Sequence, residues 1–298
     1  MKRTLISLLA ATTLLPAATG LAFLKIPVDA AVCGSGEAAA AWLSAPSALY
    51  YNPAGLGRVQ SFAGLAMHNE WFLGMRHEYV AAGWGTPELG GIAASFNYWT
   101  SGDLQGITWR GDTIPGYVFS ASDWSVALGY GRAFGPFAVG AGAKFVQERN
   151  DSLAGTAFAF DAGVMYQPPV EGLQAGVSVA NLGPKFRLDQ DRSTLPWTVR
   201  AGCRYDYSIA GVTADVIYSP DEQPGFAVGA EVRPVSLLAL RVGYRSGSDV
   251  EGLAHLRAGL GIRYLGIGLD YAFAPYGELG ITHRLSLSYR SPEPESEE

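Results

Sequence analysis

Trp124-Ser125-Val126-Ala127-Leu128-Gly129-Tyr130-Gly131-Arg132-Ala133-Phe134-Gly135-Pro136-Phe137-Ala138-Val139-Gly140-Ala141-Gly142-Ala143-Lys144-Phe145 is the stretch on which the fold turns. Trp124, Val126, Leu128 and Tyr130 alternate with Ser125, Ala127, Gly129 and Gly131. Beyond Gly135-Pro136 the alternation resumes, with Phe137, Val139, Ala141, Ala143 and Phe145 set against Ala138, Gly140, Gly142 and Lys144. A period of two with one apolar face and one small or polar face reads as a β-strand, and the Gly-Pro pair between the runs as a tight turn.

The same pattern spreads outward from Ser61 to the C-terminal end in segments of roughly 9 to 13 residues. Phe158/Phe160/Ala162/Val164/Tyr166, Leu256/Ala258/Leu260/Ile262/Tyr264 and Leu285/Leu287/Tyr289 are examples, with aromatics at the segment ends. About fourteen strands are counted, beginning near Phe62, Arg76, Gly91, Gly116, Phe137, Ala154, Leu173, Trp197, Val212, Gly225, Leu238, Leu256, Gly266 and Thr282. The count takes 116–134 as one long strand. Connections at Pro87, Gly135-Pro136, Pro168-Pro169, Ile209-Ala210, Pro234-Val235 and Leu265 read as tight. Those at Trp71, 100–115, Asn150, 183–196, 219–224, 246–252 and 275–280 read as longer. Bacterial membrane barrels alternate short periplasmic turns with longer outer loops, so both termini are placed on the periplasmic side.

Composition narrows the choice. The 298 residues are 48% hydrophobic and only 16% charged, with 38 Gly, which excludes a disordered polyelectrolyte. A net charge of −6 gives no basic footprint, so no nucleic-acid partner is expected. Lysine is confined to Lys2, Lys25, Lys144 and Lys185, the other cations being arginines; arginine suits confined sites where its planar fork meets carboxylates. Cys33 and Cys203 are too few for a disulfide framework.

Lys2 and Arg3 precede an apolar run, 5–15, and a Gly20-Leu21-Ala22 site, the layout of a secretory signal peptide over residues 1–22 with cleavage after Ala22. A helical span needs about 20 apolar residues, and Pro16, Thr19 and Gly20 interrupt this one too early. No later stretch is long enough, so a membrane role must use strands. A soluble sandwich or lipocalin-like barrel also alternates. The strand count, the scarcity of lysine, the terminal aromatics and the export signal favour a transmembrane antiparallel β-barrel over residues 61–290, an all-β fold with outer-membrane lipid as its solvent. Residues 291–298 form an acidic tail expected to be disordered.

Arg200, Arg204, Asp206, Asp215, Glu231, Arg241, Arg245, Arg257, Arg263, Asp270 and Arg284 fall out of phase with their apolar neighbours and are expected to point into the lumen. Cross-strand Arg–carboxylate pairs there would fix the register. A structural role is favoured over a ligand site, because each such charge needs a partner in any case; a selective pore is the alternative.

Residues 23–60 break the strand pattern. Glu37 to Ser44 is Ala-rich and is expected to form a short helix after Gly34-Ser35-Gly36. Pro53 fixes its own φ and biases Asn52 away from helix, so Asn52, Pro53, Ala54, Gly55 and Leu56 suit the sharp passage from this segment into the first strand. This stretch resembles the Asn-Pro-Ala-Gly-Leu signature of the PorV/PorQ family, relatives of the FadL outer-membrane transporters. Phe23-Leu24-Lys25-Ile26, His68-Asn69-Glu70-Trp71, Lys144, Asp161-Ala162-Gly163, Asn181-Leu182-Gly183, Leu195-Pro196 and Thr282-His283-Arg284 follow in the family's order, and Ala31-Val32-Cys33 departs from it where many members carry an Arg. The resemblance implies a monomeric fourteen-stranded FadL-like barrel in the outer membrane of a Gram-negative-type bacterium, with residues 23–60 folded inward as a plug.

Enzymatic constellations are not found: there is no Gly-x-Ser-x-Gly elbow and no His-Glu-x-x-His pair, and His68, His77, His255 and His283 are dispersed. No catalytic residue, metal or cofactor is assigned. The resemblance implies a component or cargo shuttle of type IX-like protein secretion, with exported proteins bearing C-terminal sorting domains as partners. The alternative is a FadL-like transporter of hydrophobic small molecules across the outer membrane.

Overall fold

The computed structural model describes residues 19–247 and 255–292. Fourteen strands form one closed antiparallel barrel, running from Ala63–Glu70 to Ile281–Arg290. Closure is made by these two strands, paired from Ala63 opposite Arg290 to Glu70 opposite His283. The first strand also pairs with Arg76–Thr86, so it has no free edge.

Alternation decides which side chain faces where. Leu128, Phe158, Val216 and Leu287 stand on the outside, each more than half exposed, while Ala127, Ala159, Asp215 and Ser286 between them are buried. A continuous apolar exterior around a closed ladder is a surface for acyl chains: in water it would exceed by far the patches soluble proteins tolerate. Phe137 and Tyr166 stack at 4.7 Å between ring centres at one rim, next to Phe134. Aromatic girdles of this kind flank the apolar band of membrane barrels, and the amphipathic ring of Tyr166 suits the level of lipid headgroups.

Three features of the wall and its connections differ from the sequence reading. The stretch 116–134 is not one strand: Ala121–Phe134 belongs to the wall, whereas Thr113–Phe119 pairs with Leu104–Ile107 in a separate hairpin above it. Ser101 stops the wall ladder there, since its Oγ accepts from the Ala121 N–H at 2.9 Å and its own N–H donates to the Ala121 carbonyl. The even strand count survives because the extra piece lies outside the wall. Second, residues 151–152 make a tight turn where a longer loop was expected, with Asp151 at φ 54, a conformation Asp tolerates. Residues 167–172, expected to be tight, form a longer connection at the opposite rim.

Residues 19–60 lie within the barrel. Their sequence starts at the long-loop rim, where the Gly20 N–H donates to the Thr194 carbonyl at 3.1 Å, and ends at the short-turn rim, where the Phe62 N–H meets Ser291 Oγ. The barrel itself starts and ends at the short-turn rim, where Ala63 pairs with Arg290, while the first described residue of the inner segment stands at the opposite rim. Helix forms at Ala30–Gly34, capped by the Asp29 carboxylate on the Ala31 N–H, and at Ala48–Tyr51. The Ala-rich run at 37–44 is not helical, contrary to its composition. The wall competes for its backbone: Asp215 Oδ2 accepts from the Ala39 and Ala40 N–H groups at 2.7 and 2.9 Å, and Asn52 Nδ2 donates to the Ala40 carbonyl at 2.6 Å. Satisfied buried backbone groups outweigh intrinsic propensity, which amounts to at most a few tenths of a kcal/mol per residue here. The expected signal sequence up to residue 18, the tip of the 246–252 loop and the tail beyond residue 292 lie outside the described residues.

Candidate functional site

Among the described residues, two cavities flank the inner segment. At the long-loop rim a cavity of about 750 Å³ is lined by Phe23, Leu24, Tyr50, Trp71, Trp99 and Tyr276, together with Glu37, Arg200, Arg245 and Arg257. At the short-turn rim a second, of about 710 Å³, is lined by Trp42, Arg204, Glu231, Arg241 and Asp270. No residue lines both. Between them Val32, Cys33, Ala38, Ala41, Ala54 and Leu56 have no exposure to solvent, so side chains of the inner segment, rather than water, occupy the middle of the barrel.

Close packing of backbone on backbone makes this possible. Asn52 takes extended φ/ψ, and its Oδ1 accepts from the Ala54 N–H, capping the 3₁₀ stretch Pro53–Arg58. Its Nδ2 reaches the Ala40 carbonyl and, at 3.3 Å, the Val164 carbonyl of the wall. Wall positions facing this turn are glycines: a Cβ on Gly140 would stand 2.2 Å from the Pro53 carbonyl oxygen, and one on Gly163 would stand 1.9 Å from Asn52 Oδ1. Ala54, Gly55 and Leu56 are buried in the same contact. The motif 52–56 thus docks the inner segment on the wall, and the passage into the first strand follows it, at 59–62.

The lumenal charges fall into two groups. Near the short turns, Arg241 Nε and Nη1 each lie 2.6 Å from a carboxylate, of Glu231 and Asp270 respectively. Arg204 contacts Asp206 at 2.7 Å and Glu231 at 3.2 Å, and Arg263 contacts Asp270 at 3.5 Å. Arg233, which the sequence reading omits, completes the set at 2.6 Å from Glu231. Opposite charges that satisfy one another in a low-dielectric interior fix register, and breaking one such pair costs about 3–5 kcal/mol.

The second group turns toward the inner segment instead of pairing across strands. Arg257 and Arg245 approach Glu37 at 3.3 and 3.6 Å, and Arg200 donates to the Glu37 carbonyl while its guanidinium lies 5.4 Å from the Tyr51 ring centre. Burial opposes the charge on Glu37, but Arg257 and Arg245 outweigh it and hold the carboxyl below its ordinary range. Asp215 is spent on the Ala39 and Ala40 N–H groups. Arg284, fully buried, donates to Tyr276 Oη and packs over the Trp71 ring at 5.3 Å. The sequence reading missed Glu37 as a partner. A surplus of arginines over carboxylates among the lumenal strand positions was the available signal for an acid supplied from outside the strands.

At the long-loop mouth Lys25 bridges Asp221 at 2.7 Å and Glu222 at 2.5 Å, tying the inner segment to the loop 219–224. Burial disfavours the charged Asp221, yet hydrogen bonds from Lys25, Thr19 and Ser219 leave its carboxyl below the ordinary value. On the wall, Lys144 lies 2.9 Å from Asp161 and donates to Asn181 Oδ1 at 2.7 Å, while the Asn181 N–H donates to Asp161 and its Nδ2 reaches the Pro196 carbonyl. Four positions far apart in sequence meet there, where Asn181 sits at φ 61 and the register shifts between Phe160 and Ala162. Among the described residues no group of three or more His, Cys, Asp or Glu could hold a metal ion.

The barrel shares its fold with solved FadL-type outer-membrane proteins. The Ralstonia pickettii toluene transporter TbuX superposes with a TM-score of 0.64 at 13% identity, over 89% of this chain and 98% of that one. The Pseudomonas putida toluene transporter TodX gives 0.63 at 11% identity, over 87% and 96%. A Pseudomonas aeruginosa FadL homologue gives 0.57 at 10% identity, over 89% and 98%. No family model and no curated protein sequence matches the chain, so the PorV/PorQ resemblance gains no support from those comparisons.

Proposed function

We propose that the protein is an outer-membrane transporter that admits hydrophobic small molecules through a barrel plugged by residues 23–60. The observation that carries this reading is the cavity of about 750 Å³ at the long-loop mouth, walled by Phe23, Leu24, Trp71 and Trp99. Its size and lining are those of a small-molecule pocket. Arg200 and Arg245 on its surface favour molecules with an anionic or strongly polar end over pure hydrocarbons. The fold shared with TbuX and TodX, both toluene transporters, supports the same class of cargo. The apolar exterior and the export signal support an outer-membrane location. A shuttle for exported protein domains gains no support from the comparisons.

Uptake tests the reading. Cells lacking their own hydrophobic-molecule transporters and expressing this chain should accumulate a labelled long-chain amphiphile faster than cells with an empty vector, while uptake of a sugar of similar mass stays unchanged. Equal amphiphile uptake in the two strains would overturn it.

A further inference from the structure

Asp123 and Glu148 stand directly opposite each other on neighbouring antiparallel strands, and both line the long-loop cavity. Like charges in this relation repel. Asp123 is only 8% exposed, and among the described residues no cation lies within 4.0 Å of either carboxylate. Glu37, Glu231 and Asp270 meet arginines, whereas Asp29 and Asp215 also lack a cation but are held one by one by N–H and hydroxyl groups; the pair differs in setting two carboxylates against each other. Two backbone N–H groups reach the pair: that of Arg149 donates to Asp123, and that of Leu21, from the inner segment, donates to Glu148 Oε2 at 3.1 Å.

Leu21 carries two further marks. Its φ of 60° is left-handed, a conformation that a branched side chain adopts only under strain. That strain comes from the preceding carbonyl and vanishes if Leu21 is the first residue of the chain. Its side chain is 2% exposed and packs with Phe23, Leu24, Val146 and Leu195, so a mature chain starting at Phe23 would leave a leucine-sized hole in that cluster. Ala18-Thr19-Gly20 offers a second small-x-small frame two residues upstream of the Gly20-Leu21-Ala22 frame.

We propose that the export-signal peptidase cuts between Gly20 and Leu21, and that the new α-ammonium of Leu21 is the cation held by Glu148 and Asp123. Water adds across the amide bond: the Gly20 carbonyl leaves as a carboxylate, and the Leu21 nitrogen takes up a proton to become the ammonium. The cut supplies the charge that the acidic pair lacks and anchors the start of the plug in the mouth of the barrel. The inference does not depend on what the cavity carries.

N-terminal sequencing and intact mass of the protein purified from outer membranes test the cut: a chain starting Leu21-Ala22-Phe23 is expected, and a start at Phe23, at Thr19 or elsewhere overturns the proposal. Acylation of the α-amino group in the folded, membrane-embedded protein tests the clamp. Wild type should react at least tenfold more slowly than the D123N/E148Q variant, and equal rates would refute the ammonium site. If the double variant fails to insert, E148Q alone gives the same readout, with slower wild-type reaction expected and equal rates refuting it.

Discussion

Asn52 and Gly163 are a matched pair: the asparagine carboxamide occupies the space that any side chain at position 163 would need, with its Oδ1 1.9 Å from where a Cβ would stand. One belongs to the inner segment and the other to the wall, so the contact records how closely the two backbones approach.

Gly163→Ala should therefore displace Asn52 and strand its buried hydrogen-bonding groups, at a cost of about 1–3 kcal/mol for a buried group left unpaired. The variant barrel should unfold at lower temperature in a gel-mobility assay. Adding Asn52→Ala should recover part of the loss, and an unchanged melting point in the single variant would contradict the packing described.

Leu128 points outward from the middle of Ala121–Phe134. Arginine there meets acyl chains, so Leu128→Arg should destabilise the barrel in bilayers by about 2–4 kcal/mol, the range found for cations at mid-depth on a lipid-facing wall. Leu128→Phe should be nearly neutral. Equilibrium folding into vesicles separates these outcomes; a neutral arginine would mean that the outer face is not in lipid.

Arg241 bridges Glu231 and Asp270, both buried. Arg241→Met should leave two buried carboxylates without their shared cation, a loss of about 3–5 kcal/mol. Replacing all three with apolar residues should be less damaging than replacing the arginine alone, because the desolvation cost of the charges disappears with them. Denaturant titration of the two variants reads the difference.

The tie between Lys25 and Asp221 should respond to pH. Since the folded state holds the Asp221 carboxyl below its ordinary value, the stabilisation is fully present above the unfolded value, about 3.9 for Asp, and is lost as pH falls through the lower folded value. Protection factors of residues 23–27, measured against the intrinsic exchange rate at each pH, should be high at pH 7 and fall at the acid end of that window. Asp221→Asn should exchange faster already at pH 7, and matching rates in wild type and variant would contradict the tie.

The wall was legible in the sequence because a lipid-facing strand must alternate, as Trp124, Val126, Leu128 and Tyr130 do, and no other environment demands so long a series of such segments. Breaks in the ladder were less legible. Ser101 ends the wall pairing through hydrogen bonds to Ala121, twenty residues away, and periodicity carries no record of partners. The inner segment was hardest to read. Its Ala-rich run looks helical alone, but Asp215 claims its N–H groups, and Glu37 reveals its role only when Arg245 and Arg257 are brought beside it. Residues quoted separately for the family resemblance, among them Lys144, Asp161, Asn181 and Pro196, prove to be one contact. Their spacing in the chain gives no hint of it.

The central claim is that a hydrophobic small molecule occupies the cavity between the plug and the long-loop rim. A crystal of the protein grown with a terminally brominated long-chain amphiphile tests it most directly, through the anomalous signal of bromine. The expected result is a peak inside the mouth among Phe23, Leu24, Trp71 and Trp99; bromine found solely on the outer apolar belt, with the mouth empty at saturating amphiphile, would contradict the account.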